Sequence, residues 1–143
     1  MDIFSEIIVS AVEKVKNAVV KIDKYSLIRG KERISGSGSG FVFSSDGLIL
    51  TNAHVVENFC RLNVTLLDGT EFAGEVTGID KDTDIAIIKI FGGDYTPAKL
   101  GSSIDLKIGQ LVIAIGNPFG YQHSVSVGVL SGLDELCVPR MAI

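Results

Sequence analysis

Two residues in this chain combine a type and a setting suited to proton transfer. His54 stands in LILTNAHVVENF (48–59), where an apolar strand gives way to AHVV, a short helical turn. A strand-to-loop junction holds a side chain rigidly and leaves it reachable. Asp84 opens a nearly continuous apolar run in DKDTDIAIIKI (80–90). A carboxylate at the mouth of a buried strand needs a partner, because an isolated buried charge is costly. The Nδ1–H of a histidine is a suitable one: the pair fixes the ring tautomer and supports the imidazolium when it forms. Taken alone, His54 reads better as a satisfied core or surface histidine, and Asp84 is what makes it a candidate general base. Asp80 and Asp82 fall within the turn and read as solvated. Thr51 and Asn52 are expected to shape the histidine's turn through side-chain hydrogen bonds.

Other candidates carry less. GSGSG (36–40) has a phosphate-loop look, but it opens into a strand and matches neither GxGxxG nor GxxxxGK[ST]. Its glycines are better explained by close backbone approach where a strand enters a barrel. Cys60 and Cys137 form no CxxC pair and read as free, buried, structural thiols, with a disulfide between them the alternative that sequence does not decide. Zinc would need Cys60, Cys137, His54 and His123 to converge from scattered positions, so no metal or other cofactor is expected. His123 is placed at a turn or strand start without a functional role.

The elements that must position His54 and Asp84 follow from composition and pattern. The chain has 143 residues, 46% of them hydrophobic, which suits one domain with a real core. Its net charge of −4 and lack of basic runs argue against nucleic acid as a partner. No apolar run reaches the roughly 18 residues of a spanning helix. The N-terminus does not read as a leader, since Asp2 and Glu6 occupy the place of a basic region. Apolar residues at 4, 8, 11/12, 15 and 19 instead predict a helix with one buried stripe, capped by Asp2 or Ser5.

Beyond the helix, AVVKIDKYSL (18–27) predicts a first strand and IRGKERISGSGSG (28–40) a loop. Short strand signals then recur with turn signals between them. NVTLLDGTEFAGEV is a hairpin joined at Asp-Gly. Many short strands at this spacing predict an antiparallel barrel or sandwich. From about residue 99 the pattern changes: KLGSSIDLKIGQ reads as a connection, and only QLVIAIG and SVSVGVLSG follow as strands. Two strands do not make a stable sheet alone. The expected organisation is a helix (1–17), a complete first barrel (18–98), and a linker with the opening strands of a second barrel (99–143).

GSGSGFVFSSDGLILTNAHVV, DGTEFAGEVTGIDKDTDIAIIKI, KIGQLVIAIGNPFG and SVSVGVLSG, in this order, resemble the HtrA/DegP family of serine endopeptidases over residues 36–132. The resemblance implies a mainly β, trypsin-like fold of two antiparallel barrels with the active site between them. By it, His54 matches the family's general base and Asp84 its orienting acid. It further implies unfolded-protein or peptide substrates and a homo-oligomer. The family's nucleophile lies in a GNSGGP-type segment of the second barrel. None of the 13 serines in this sequence lies in such a context or in a GxSxG elbow. The chain is therefore expected to supply base and acid but no nucleophile and no oxyanion hole, and to be inactive alone. The alternative is a non-catalytic binding or strand-swapping module built on the same fold. Two free thiols and no leader slightly favour a cytoplasmic setting, with export the other possibility.

Overall fold

The computed structural model describes residues 1–118, 120 and 123–133. It is mainly β: a closed antiparallel six-stranded barrel, an N-terminal helix and a separate two-stranded sheet.

Helix α1 spans Ile3–Val15, and Asp2 caps it by accepting from the Ser5 N–H at 2.9 Å. The expected buried stripe is only half-buried: Ile8, Ala11, Val12 and Val15 are partly covered. Phe4 is 55% exposed and no residue of α1 joins the core, because the barrel closes on its own side chains from Ala18 onward.

Strands β1 (Val19–Ile28) and β2 (Lys31–Val42) form a long hairpin. The loop expected over 28–40 is thus mostly strand. Only Arg29 and Gly30 turn, both at positive φ (53° and 77°), the hand that matches the twist of the flanking strands. The Ser/Gly-rich half of β2 holds as strand because β1 supplies an antiparallel partner, Lys24 to Gly36 through Val19 to Phe41.

Next come β3 (Leu48–Thr51), the one-turn helix α2 (Ala53–Val56), β4 (Arg61–Thr65), β5 (Glu71–Asp80) and β6 (Ile85–Lys89). The barrel closes in the order β1-β2-β3-β6-β5-β4. At the predicted β4–β5 hairpin, Asp68 accepts from the Thr70 N–H at 2.9 Å and Gly69 takes a positive φ of 87°. Alternate residues point inward. Val20, Ile22, Val42, Ile49, Val56, Leu62, Val64, Ala86, Ile88 and Ile90 meet in one core, with Phe72 and Tyr95 packed against it.

Strands β7 (Leu111–Gly116) and β8 (Ser124–Val129) pair antiparallel, with Leu111 opposite Val129 and Gly116 opposite Ser124. Every residue of β8 is exposed. Among the described residues, no helix is long and apolar enough to cross a membrane.

Candidate active site

His54 is held by the way β3 ends. Thr51, fully buried, sends its Oγ1–H to the Ser39 carbonyl at 2.8 Å. Asn52 then leaves the strand and donates its side-chain amide to the Asp84 carbonyl at 3.1 Å. In α2, Ala53 and Val56 are buried at 0% and 1% exposure and anchor the turn. His54, between them, points outward. Both hydrogen-bonding expectations for Thr51 and Asn52 are therefore met.

Asp84 enters β6 from a left-handed backbone, φ 56°, a conformation Asp tolerates better than most residues. From there its carboxylate reaches His54 twice. Oδ1 accepts from the His54 main-chain N–H at 3.0 Å, and Oδ2 stands 2.7 Å from ring Nδ1. The main-chain donor, followed by the ring, holds the Asp84 carboxyl below its usual pKa. An ionised carboxylate only accepts, so Nδ1 carries the proton and Nε2 presents its lone pair. The ring can then accept a proton from a hydroxyl brought to Nε2.

Burial is not what pairs Asp84 with His54. The His54 and Asp84 side chains are 67% and 45% exposed, so desolvation does not force the pair together. What joins them is the double hydrogen bond and the fixed entry of β6.

The remaining candidates sit elsewhere. Asp80 and Asp82 are exposed, as expected for a turn. Cys60 is free but exposed, contrary to the expectation of burial; it lies at the entry to β4, where its Sγ donates to the Tyr25 carbonyl at 3.2 Å. Cys137 lies outside the described residues. Among the described residues there is no group of three or more His, Cys, Asp or Glu able to hold a metal. His123 precedes β8 and its Nε2 is buried with no hydrogen-bond partner among the described residues. Several serine hydroxyls are occupied in local structure: Ser5 with Asp2, Ser26 with Ser35, Ser37 with Asp23 and Ser44 with Asp46.

A largely buried ion pair lies outside the sequence expectations. Lys21 Nζ lies 3.2 Å from Asp23 Oδ2, and Asp23 is only 5% exposed. The signal was present: two charges at i and i+2 in VVKIDKY share one face of a strand otherwise rich in buried residues.

Residues 38–141 match the family model described as a trypsin-like peptidase domain. The chain is 48% identical over 103 residues to "Probable periplasmic serine endoprotease DegP-like" of Halomonas elongata, covering 72% of this chain and 22% of that protein. It is 44% identical over 127 residues to "Serine protease HTRA1" of Xenopus tropicalis, covering 87% of this chain and 28% of that one. The chain thus spans between 22% and 28% of the length of these two relatives. The crystal structure of Deg5 superposes with a TM-score of 0.82 at 36% identity, over 93% of this chain and 66% of Deg5. A closed barrel that presents a His–Asp pair, together with these matches, shows that the chain belongs to the trypsin-like peptidases and is a protease-domain fragment of the HtrA/DegP type.

Proposed function

We propose that His54 and Asp84 are the general base and the orienting acid of a serine endopeptidase that hydrolyses unfolded proteins. The double grip of one carboxylate on the main chain and ring of His54 carries this reading. Asp84 keeps the proton on Nδ1. Nε2 takes the proton of the attacking hydroxyl and later returns it to the leaving amine. Asp84 stays ionised throughout and stabilises the imidazolium between those steps.

In this reading residues 18–98 are the first barrel of a double-barrel protease, residues 99–143 lead into and open the second, and the complete enzyme is a homo-oligomer. The nucleophile and its oxyanion donors belong to a GNSGG-type segment, which these 143 residues do not contain. The polypeptide by itself is inactive on this account. A fluorogenic peptide and casein assay tests both halves. The 143-residue chain should show no turnover above blank, and the complete gene product should lose its turnover on His54→Ala. Turnover by the short chain that His54→Ala abolishes would overturn the claim of a missing nucleophile.

A second reading has one observation in its favour. All six residues of β8 are exposed, including Val125, Val127 and Val129, so this strand offers an uncovered surface for association. A non-catalytic, strand-exchanging module would then dimerise. Light scattering across a concentration series distinguishes it: a monomer at every concentration refutes exchange.

A further inference from the structure

The His54–Asp84 pair leaves the GSGSG segment without a role, and the structure places it between the two parts of the molecule. Gly38 and Gly40 share one face of β2. A Cβ on Gly38 would lie 2.6 Å from Val55 Cγ2, and one on Gly40 would lie 2.8 Å from the Leu50 carbonyl oxygen. These two glycines let the His54 turn and β3 press against β2. Ser39, between them, faces the other way. Its hydroxyl accepts from the main-chain N–H of Asn117 at 2.9 Å, across 78 positions of sequence. Its own carbonyl accepts from Thr51, the residue that ends β3 ahead of His54.

The contact is close and enclosed. Asn117 and Thr51 are both fully buried. A Cβ on Gly116 would stand 3.3 Å from Ser39 Oγ, so β7 approaches that hydroxyl directly. Beside Ser39, its β1 neighbour Lys21 lies along Gly120, where a Cβ would stand 3.3 Å from Lys21 Cδ. Lys21 is held in turn by Asp23, which also accepts from the Ser37 hydroxyl. The outer face of the β1–β2 hairpin thus takes the Asn117 main-chain N–H on the Ser39 hydroxyl and the Gly120 backbone along the aliphatic stem of Lys21.

Building on the reading of His54 as the base, we propose that Ser39 is a positioning residue of the peptidase. One residue ties the strand leading into His54 and the end of β7 to a common point. It thereby sets where the base stands relative to the second sheet. Placement errors of about 1 Å cost up to about 100-fold in rate, so a fixed tie between the two parts has a catalytic consequence.

Ser39→Ala removes the hydroxyl and keeps the carbonyl that Thr51 uses; Ser39→Thr keeps both. In the 143-residue chain, amide exchange at Asn117 should quicken at least about tenfold in Ser39→Ala, with the Ile88 amide unchanged and protection restored in Ser39→Thr. In the complete gene product, kcat on a fluorogenic peptide should fall about tenfold at constant KM and return with Ser39→Thr. Unchanged Asn117 protection overturns the proposal. So does an unchanged kcat in Ser39→Ala when His54→Ala abolishes turnover in the same assay, which spares the reading of His54. If His54→Ala leaves turnover intact, the reading of His54 fails instead, and the Asn117 exchange rate alone decides whether the tie exists.

Discussion

Asp84→Asn isolates what the carboxylate does, because it changes one atom and keeps the shape. Asp84 makes two acceptor contacts with His54, to the main-chain N–H at 3.0 Å and to Nδ1 at 2.7 Å. An amide has a single oxygen. If that oxygen keeps the main-chain bond, the amide NH₂ faces Nδ1 and donates to it. The ring must then carry its proton on Nε2, the tautomer that cannot accept one there. In a related trypsin-like enzyme the same exchange lowers kcat about 10⁴-fold with geometry intact. A similar loss is expected in the complete gene product. The tautomer itself is read in the 143-residue chain without any activity, from long-range ¹H–¹⁵N couplings of the neutral His54 ring. Wild type should report Nδ1–H and Asp84→Asn should report Nε2–H. An unchanged tautomer in the variant would refute the reasoning, since Asp84 would then not be what orients the ring.

Three further outcomes follow from packing and charge. Gly40→Ala places a methyl 2.8 Å from the Leu50 carbonyl oxygen, and should cost about 1–3 kcal/mol in urea unfolding, as overpacking does. Ile88→Ala empties a site at 0% exposure in the barrel core and should cost about 2–5 kcal/mol by the same measurement. Asp2, Asp46, Asp68 and Asp84 are all held below their ordinary pKa, mainly by Ser5, Ser44, Thr70 and the His54 N–H respectively. A depressed folded-state pKa gives stability that is present above the unfolded value of about 3.9 and lost as pH falls through the folded one. The urea midpoint should therefore drop as pH is lowered from about 5 to about 2, modestly, because these groups are solvent-screened. A midpoint that rises over that range contradicts the assignment.

The sequence discloses local turns and element starts far better than it discloses strand pairing or burial. The Asp-Gly turn at 68–69, the AHVV helical turn and the strand headed by Asp84 all stand where local chemistry places them. Local chemistry misleads at residues 31–40: serine and glycine read as loop, yet β1 across the hairpin supplies the pairing that makes them strand. The stripe on α1 shows the same limit from another side. Periodicity records that a helix has an apolar face, but not whether anything covers it, and Phe4 remains 55% exposed. At the candidate site, His54 and Asp84 are found by type and order. Their double hydrogen bond depends on the left-handed backbone at Asp84, which residue type alone does not dictate. The Ser39–Asn117 contact lies further out of reach, since it joins two sheets that no local pattern relates.

His54, oriented by Asp84, is the proposed base of a peptidase. The most direct test of that role is hydrolysis of a disordered protein such as casein by the complete gene product, with and without His54→Ala. Measurable turnover is expected, and the substitution should lower it by about 10⁴-fold or more. Turnover that survives His54→Ala unchanged would contradict that role.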